Sequence, residues 1–186
     1  MDKEQQKFYF DTCTIIDAID HTSRYHANVR KALQQVKGDC LLSEYMEVEL
    51  KGVLRKSKFR KMKDSLLREY AHLKRNLQAK WIPNNEEVIN LHKFAKKLQK
   101  DVQSYYRRRR IYVRRVPKFP DIVHIGICGL KDITNIVSED KDIYGRDSRG
   151  VPIIDIVKNA ISKNIKNISN PRHVCTSREG YLKQVI

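Results

Sequence analysis

A chain of 186 residues with 40% apolar residues is the right size for one domain with a real core, with room for an extension. Its 38 Lys and Arg against 22 Asp and Glu give a formal net charge of +16. That excess repels itself in the folded state and calls for a polyanion, nucleic acid first and an anionic membrane surface second. The longest apolar stretches are far short of a membrane span, and no apolar run follows a basic start at Met1-Asp2-Lys3-Glu4-Gln5. A soluble cytoplasmic protein without a membrane partner is expected. The four cysteines, Cys13, Cys40, Cys128 and Cys175, form no C-x-x-C pair, which argues against a zinc site and for reduced thiols.

In chain order, Lys7-Phe8-Tyr9-Phe10 reads as a short buried strand. A helical stripe follows through Ile15, Ile16 and Ile19, then Tyr25, Val29, Leu33 and Val36, with Ser23 as a cap that restarts it. Cys40-Leu41-Leu42 is a second strand. Helices are expected over Glu44–Lys56 and Asp64–Lys80, and Trp81-Ile82 forms a third strand stopped by Pro83. Asn85 caps a helix whose stripe is Val88, Leu91, Ala95, Leu98 and Val102. From Tyr105 to Lys118 the composition turns to arginine, tyrosine and valine. Asp121 opens an apolar helix through Leu130, Ile133–Ser138 is a fourth strand, and residues 145–150 form a loop. Val151-Pro152-Ile153-Ile154 reads as a fifth strand, at an edge because of its proline. The remainder is rich in Lys and Asn, with a turn at Pro171-Arg172-His173.

Strands alternating with helices predict a three-layer α/β/α fold on a central parallel sheet of about five strands. In such sheets the site lies at the carboxyl ends of the strands. Asp11 follows the first strand, Glu49 lies in the helix after the second, Asp121 starts the helix entering the fourth, and Asp140 and Asp142 follow the fourth. Each has an ordinary use as a helix cap, an exposed helix acid or a turn residue. Among Glu44, Glu47 and Glu49, helical phase favours Glu49, near Tyr45 and Val53, as the inward acid, with the choice between Glu47 and Glu49 left open. Crowded on one rim, these carboxylates repel one another, and a hard divalent cation such as Mg²⁺ or Mn²⁺ relieves that repulsion. Two such ions about 4 Å apart support phosphodiester cleavage.

Four segments carry a resemblance to the PIN-domain family: Phe10-Asp11-Thr12; Ser43 with Glu49-Leu50 and Gly52; Asp121 to Cys128; and Val137-Ser138-Glu139-Asp140-Lys141-Asp142. Their order is similar to that in PIN nucleases, which include toxins of the VapBC type and ribosomal-RNA-processing enzymes. The resemblance spans roughly residues 7–156. It implies a Mg²⁺- or Mn²⁺-dependent endoribonuclease with Asp11, Glu49, Asp121 and Asp140 as catalytic and metal-binding acids. Asp142 is a further metal-site acid, and the hydroxyls of Thr12 and Ser138 are supporting groups. Residues 1–157 would form the nuclease domain, with a basic insertion at about 53–120, and 158–186 a basic C-terminal extension. His124, Gly126 and Cys128 depart from the aliphatic pattern of the third segment. His124, one turn from Asp121, is within reach of the site, although packing is the ordinary use of such a histidine.

Tyr105, Tyr106, Arg107, Arg108, Arg109, Arg110, Tyr112, Arg114 and Arg115 interleave rings with guanidinium groups just before Asp121. Arginine grips phosphates bidentately and tyrosine stacks on unpaired bases, so RNA contact is expected here. A second basic run, Arg55 to Lys63, either widens the groove or forms a solvated face. RNA is the partner expected first; an acidic antitoxin, a ribosomal partner and a second copy of the chain follow. Besides RNA processing, the alternatives are a toxin ribonuclease paired with an antitoxin and a non-catalytic RNA-binding protein.

Overall fold

The structure, a computed structural model, describes residues 6–165 and 173–185. The first strand, β1 (Lys7–Phe10), leads into helices α1 (Thr12–Ile19) and α2 (His26–Gln34). Next come β2 (Asp39–Ser43), α3 (Glu44–Leu54), α4 (Lys63–Asn76), β3 (Lys80–Ile82) and the long α5 (Glu86–Arg108). The chain continues through α6 (Phe119–Leu130), β4 (Asn135–Val137), the short α7 (Lys141–Tyr144), α8 (Ile153–Ser162), β5 (His173–Thr176) and β6 (Lys183–Gln184).

The sheet order is β3-β2-β1-β4-β5-β6. Every pairing is parallel except β5 with β6. Side chains alternate across a strand, and in β1 this sends Phe8 and Phe10 to one face and Tyr9 to the other. Phe8, Phe10, Cys40, Leu42 and Val137 pack under α1, α2, α3 and α4. Tyr9, Ile136 and Val174 pack under α5, α6 and α8. The result is the three-layer α/β/α arrangement, with helices covering both faces of a mostly parallel sheet.

The structure corrects several expectations. The sheet has six strands among the described residues rather than about five. Val151-Pro152-Ile153-Ile154 is not the fifth strand: Ile153 and Ile154 begin α8, whose Ile153, Ile154, Ile156, Val157 and Ile161 are buried at helical spacing. A short run of isoleucines fits strand and helix equally, and here the following turns decide. The fifth and sixth strands come instead from the tail, where His173–Thr176 pairs with β4 and Lys183–Gln184 closes the edge. Residues 158–186, read as an extension, thus supply the end of α8 and two sheet strands. The turn at Pro171-Arg172 lies outside the described residues.

The stripe from Ile15 to Val36 is split into two helices, with Ser23 in the turn between them accepting from the Tyr25 amide at 3.3 Å. The helix expected to reach Lys80 stops at Asn76, and Gln78 turns the chain at φ 47°. Asn85 caps α5, accepting from the Val88 amide at 3.2 Å. Helix α5 then carries its stripe one turn further than expected, from Val102 to Tyr106.

Candidate active site

Leaving β1, the chain builds β2 and β3 on one side, then crosses back to place β4 on the other side of β1. This reversal opens a crevice at the carboxyl ends of β1, β2 and β4, where open α/β sheets bind ligands. The ladder continues one step past the strands, with the Asp11 amide on the Val137 carbonyl at 3.0 Å and the Ser138 amide on the Cys175 carbonyl at 2.9 Å. Asp11 and Ser138 are therefore held side by side by backbone, and the Ser138 hydroxyl donates to Asp11 Oδ2 at 2.7 Å. Asp11 also caps α1, its Oδ1 accepting from the Thr12 amide at 2.6 Å.

Ser43 caps α3, accepting from the Met46 amide at 3.0 Å. That start sets the helical phase and sorts the three glutamates. Glu49 faces the crevice, accepts from the Thr12 hydroxyl and pairs with His124 Nε2 at 2.8 Å. Glu47 faces outward to Lys51 at 2.7 Å and Tyr70 at 3.4 Å, and Glu44 receives the Asn84 amide at 2.9 Å. Helix α6 is buried along most of its length, residues 121–129, and brings two groups. Asp121, in its first turn, accepts from the Lys118 amide at 2.7 Å. One turn later, His124 sends Nε2 to within 3.3 Å of Asp11 Oδ1 as well as to Glu49. Its Nδ1 lies 2.6 Å from the Tyr9 hydroxyl, which lies 2.8 Å from Ser43 Oγ. After β4, Asp140 caps α7 by accepting from the Asp142 amide at 2.8 Å, and its own amide donates to Ser138 Oγ at 3.0 Å. Asp142 is only 1% exposed, and its Oδ2 has no hydrogen-bond partner.

Electrostatics marks the crevice as under-neutralised. Burial pushes the Asp121 carboxyl up to about 7, the nearby charges of Asp140 and Asp11 push the same way, and the Lys118 amide bond only partly offsets them. Asp142 is raised by burial and by Asp140. Burial also acts to raise Glu49, but the His124 contact outweighs it and holds that carboxyl below its ordinary range. The converse holds for His124: burial opposes its charge, and Asp11 and Glu49 prevail and raise it. Cys13 donates to Asp11 Oδ2 at 3.2 Å, and burial and the Asp11 charge push its thiol well up, so it is no thiolate nucleophile.

Asp11, Glu49 and His124 each offer one ligand atom, all within 4.8 Å of one another. With Asp121 raised by burial and by its acidic neighbours, this donor set suits a divalent cation. Beside it, Asp140 and Asp142 form one wall of a cavity of about 590 Å³. Arg114, Arg115, Lys141, Arg146 and Arg178 also line that cavity.

The arginine tract does not act as one strip. Arg114 and Arg115 line the acid-walled cavity; Arg108 and Arg109 line a groove between α5 and α8; Arg107 and Arg110 line a third recess with Tyr112. Tyr112 is 73% exposed, whereas Tyr106 is 3% exposed on the buried stripe of α5, which removes it from any surface an RNA base reaches. Tyr105 is half-buried, with the Arg109 guanidinium 4.7 Å from its ring centre. Of the groups at the crevice, Tyr9 had no signal beyond strand alternation. Arg146 and Arg178 stand in segments with no motif.

The fold is a mostly parallel sheet between two helical layers, with Asp11, Glu49 and His124 grouped at its switch point and the charges of Asp121 and Asp140 close by. The structure is similar to the crystal structure of the Mycobacterium tuberculosis toxin VapC20, described as cleaving the sarcin-ricin loop. The two share 13% identity at a TM-score of 0.48, over 73% of this chain and 91% of that one. No protein-family model and no curated protein matches the sequence. No helix among the described residues is long and apolar enough to cross a membrane.

Proposed function

We propose that this protein is a metal-dependent endoribonuclease. The observation that supports the reading is the grouping of Asp11 and Glu49 with His124, with Asp121 close enough to feel the charges of Asp11 and Asp140, beside a cavity lined by Asp140 and arginines. These four acids would hold Mg²⁺ or Mn²⁺, with Asp142 behind them. When bound, the metal supplies activation of water and stabilisation of the leaving oxygen. The chain's own residues do the rest. Ser138 and Thr12 orient the carboxylates of Asp11 and Glu49 through their hydroxyls. Arg114 and Arg115 grip phosphates next to the acids, and Lys141, Arg146 and Arg178 extend that cationic wall. Arg108 and Arg109, in the groove between α5 and α8, and Arg107 and Arg110, in the recess with Tyr112, offer separate cationic surfaces to more distant parts of the RNA, and Tyr112 and Tyr105 meet its bases.

The test is cleavage of end-labelled single-stranded RNA with Mn²⁺, Mg²⁺ or EDTA, wild type beside Asp11→Asn. Asn still caps a helix, so the variant should fold. Products that need metal and disappear in Asp11→Asn are expected. Wild-type protein that binds the RNA without cutting it would support a non-catalytic RNA-binding protein instead.

A further inference from the structure

The resemblance implies an all-oxygen metal site, yet a nitrogen stands among these acids. His124 is 1% exposed, and a histidine that only packs a helix needs one partner for each ring nitrogen. Here Nε2 is aimed between two carboxylates from two other elements, 2.8 Å from Glu49 Oε2 and 3.3 Å from Asp11 Oδ1. Cis ligands on an octahedral ion with bonds of about 2.1 Å are separated by about 3 Å. The two measured separations bracket that edge.

The other side of the ring is held as a metal-bound histidine is held. Nδ1 lies 2.6 Å from the Tyr9 hydroxyl, and that hydroxyl lies 2.8 Å from Ser43 Oγ. With Nδ1–H donating to Tyr9, Tyr9 donates to Ser43, and Ser43 also accepts the Met46 amide. That arrangement leaves Nε2 unprotonated, so that its lone pair is available to an ion shared with Asp11 and Glu49. The ring lies between Tyr9, 5.6 Å away centre to centre, and the edge-on ring of Tyr45 at 5.2 Å, which blocks its rotation.

We propose that His124 Nε2 is a metal ligand together with Asp11 and Glu49, and that this mixed nitrogen–oxygen set selects a first-row transition ion over Mg²⁺. This rests on the metal-site reading above. Mg²⁺ takes oxygen and keeps its waters, whereas imidazole raises affinity for the transition series.

The experiment is Mn²⁺ bound to the wild-type protein, measured by electron paramagnetic resonance with pulsed detection of directly coordinated ¹⁴N, and by Mg²⁺ competition. The wild type should show one nitrogen-coupled ion, lost in Asp11→Asn, and a Mn²⁺ preference over Mg²⁺ of at least tenfold. His124→Phe, checked for folding by circular dichroism, should still bind Mn²⁺, lose the nitrogen coupling and lose most of that preference. Bound Mn²⁺ without nitrogen coupling in the wild type, a measurement that needs no variant, overturns the ligand assignment and leaves the nuclease reading intact. A folded His124→Phe protein that keeps the coupling overturns it equally. No bound ion overturns both. Nitrogen-coupled Mn²⁺ with no RNA cleavage supports the ligand and sinks the nuclease reading alone.

Discussion

Three glutamates within six positions of one helix meet three different fates, and a single phase angle separates them. Glu49 turns inward to His124 and Thr12, while Glu47 turns out to Lys51 and Tyr70. Surface ion pairs such as Glu47–Lys51 contribute roughly 0–1 kcal/mol. Glu47→Gln should therefore change stability by less than about 1 kcal/mol and leave RNA cleavage intact, whereas Glu49→Gln should abolish metal-dependent cleavage. Equal activity in the two variants would show that the inward carboxylate is not needed. This choice was legible in the sequence, because the phase of an amphipathic helix follows from Tyr45, Leu50 and Val53. Tyr106 shows the same logic missed: it continues the α5 stripe at four-residue spacing from Val102, so its burial was written in the phase while its arginine neighbours suggested a surface.

Helix α6 is the element on which the site depends, since it carries both Asp121 and His124 and is buried nearly all round. It can lie so deep because α5 approaches closely at Gly126. A Cβ placed there would fall 2.5 Å and 2.6 Å from the two Leu91 methyl carbons, and Leu91 is itself fully buried. Overpacking of this kind costs roughly 1–3 kcal/mol. Gly126→Val should lower unfolding stability by that order in urea titration, with Gly126→Ala less affected because one methyl asks less of Leu91. A Val variant as stable as wild type would mean that the α5–α6 contact has slack. The sequence marks α6 as apolar and Gly126 as a departure from the aliphatic pattern, but the partner that requires glycine comes from 35 residues earlier and is named only by the packing.

Across the whole molecule, the +16 charge has a place to act, because the arginine-lined cavity shares a wall with Asp140 and Asp142. Single-stranded RNA binding should weaken with salt, the logarithmic slope being about −0.7 for each phosphate neutralised. The double variant Arg114→Ala, Arg115→Ala should therefore make that slope shallower by about 1.4 and weaken binding to all RNA sequences alike. An unchanged slope would place the substrate elsewhere on the surface. The sheet also depends on distant parts of the chain: β5 pairs with β4, with β6 on its outer edge, and so supports the strand that delivers Ser138 and Asp140.

Local pattern determined much of this protein. Strand and helix alternation, the stripes of α5 and α6, the capping positions of Asp11 and Asn85, and the inward phase of Glu49 all follow from spacing along a few neighbouring residues. The order of acids after successive strands was likewise readable, because a parallel sheet puts those ends on one rim. Tertiary structure decided the rest. Val151–Ile154 suits strand or helix by itself, and only the packing of α8 against α5 and α6 resolves it. His173–Thr176 becomes a strand because β4 offers it an open edge. His124 stands between Asp11 and Glu49 because Tyr9, on the opposite face of β1 from its aromatic neighbours, holds the far side of the ring. Those outcomes depend on contacts between segments up to 115 positions apart, which no local spacing encodes.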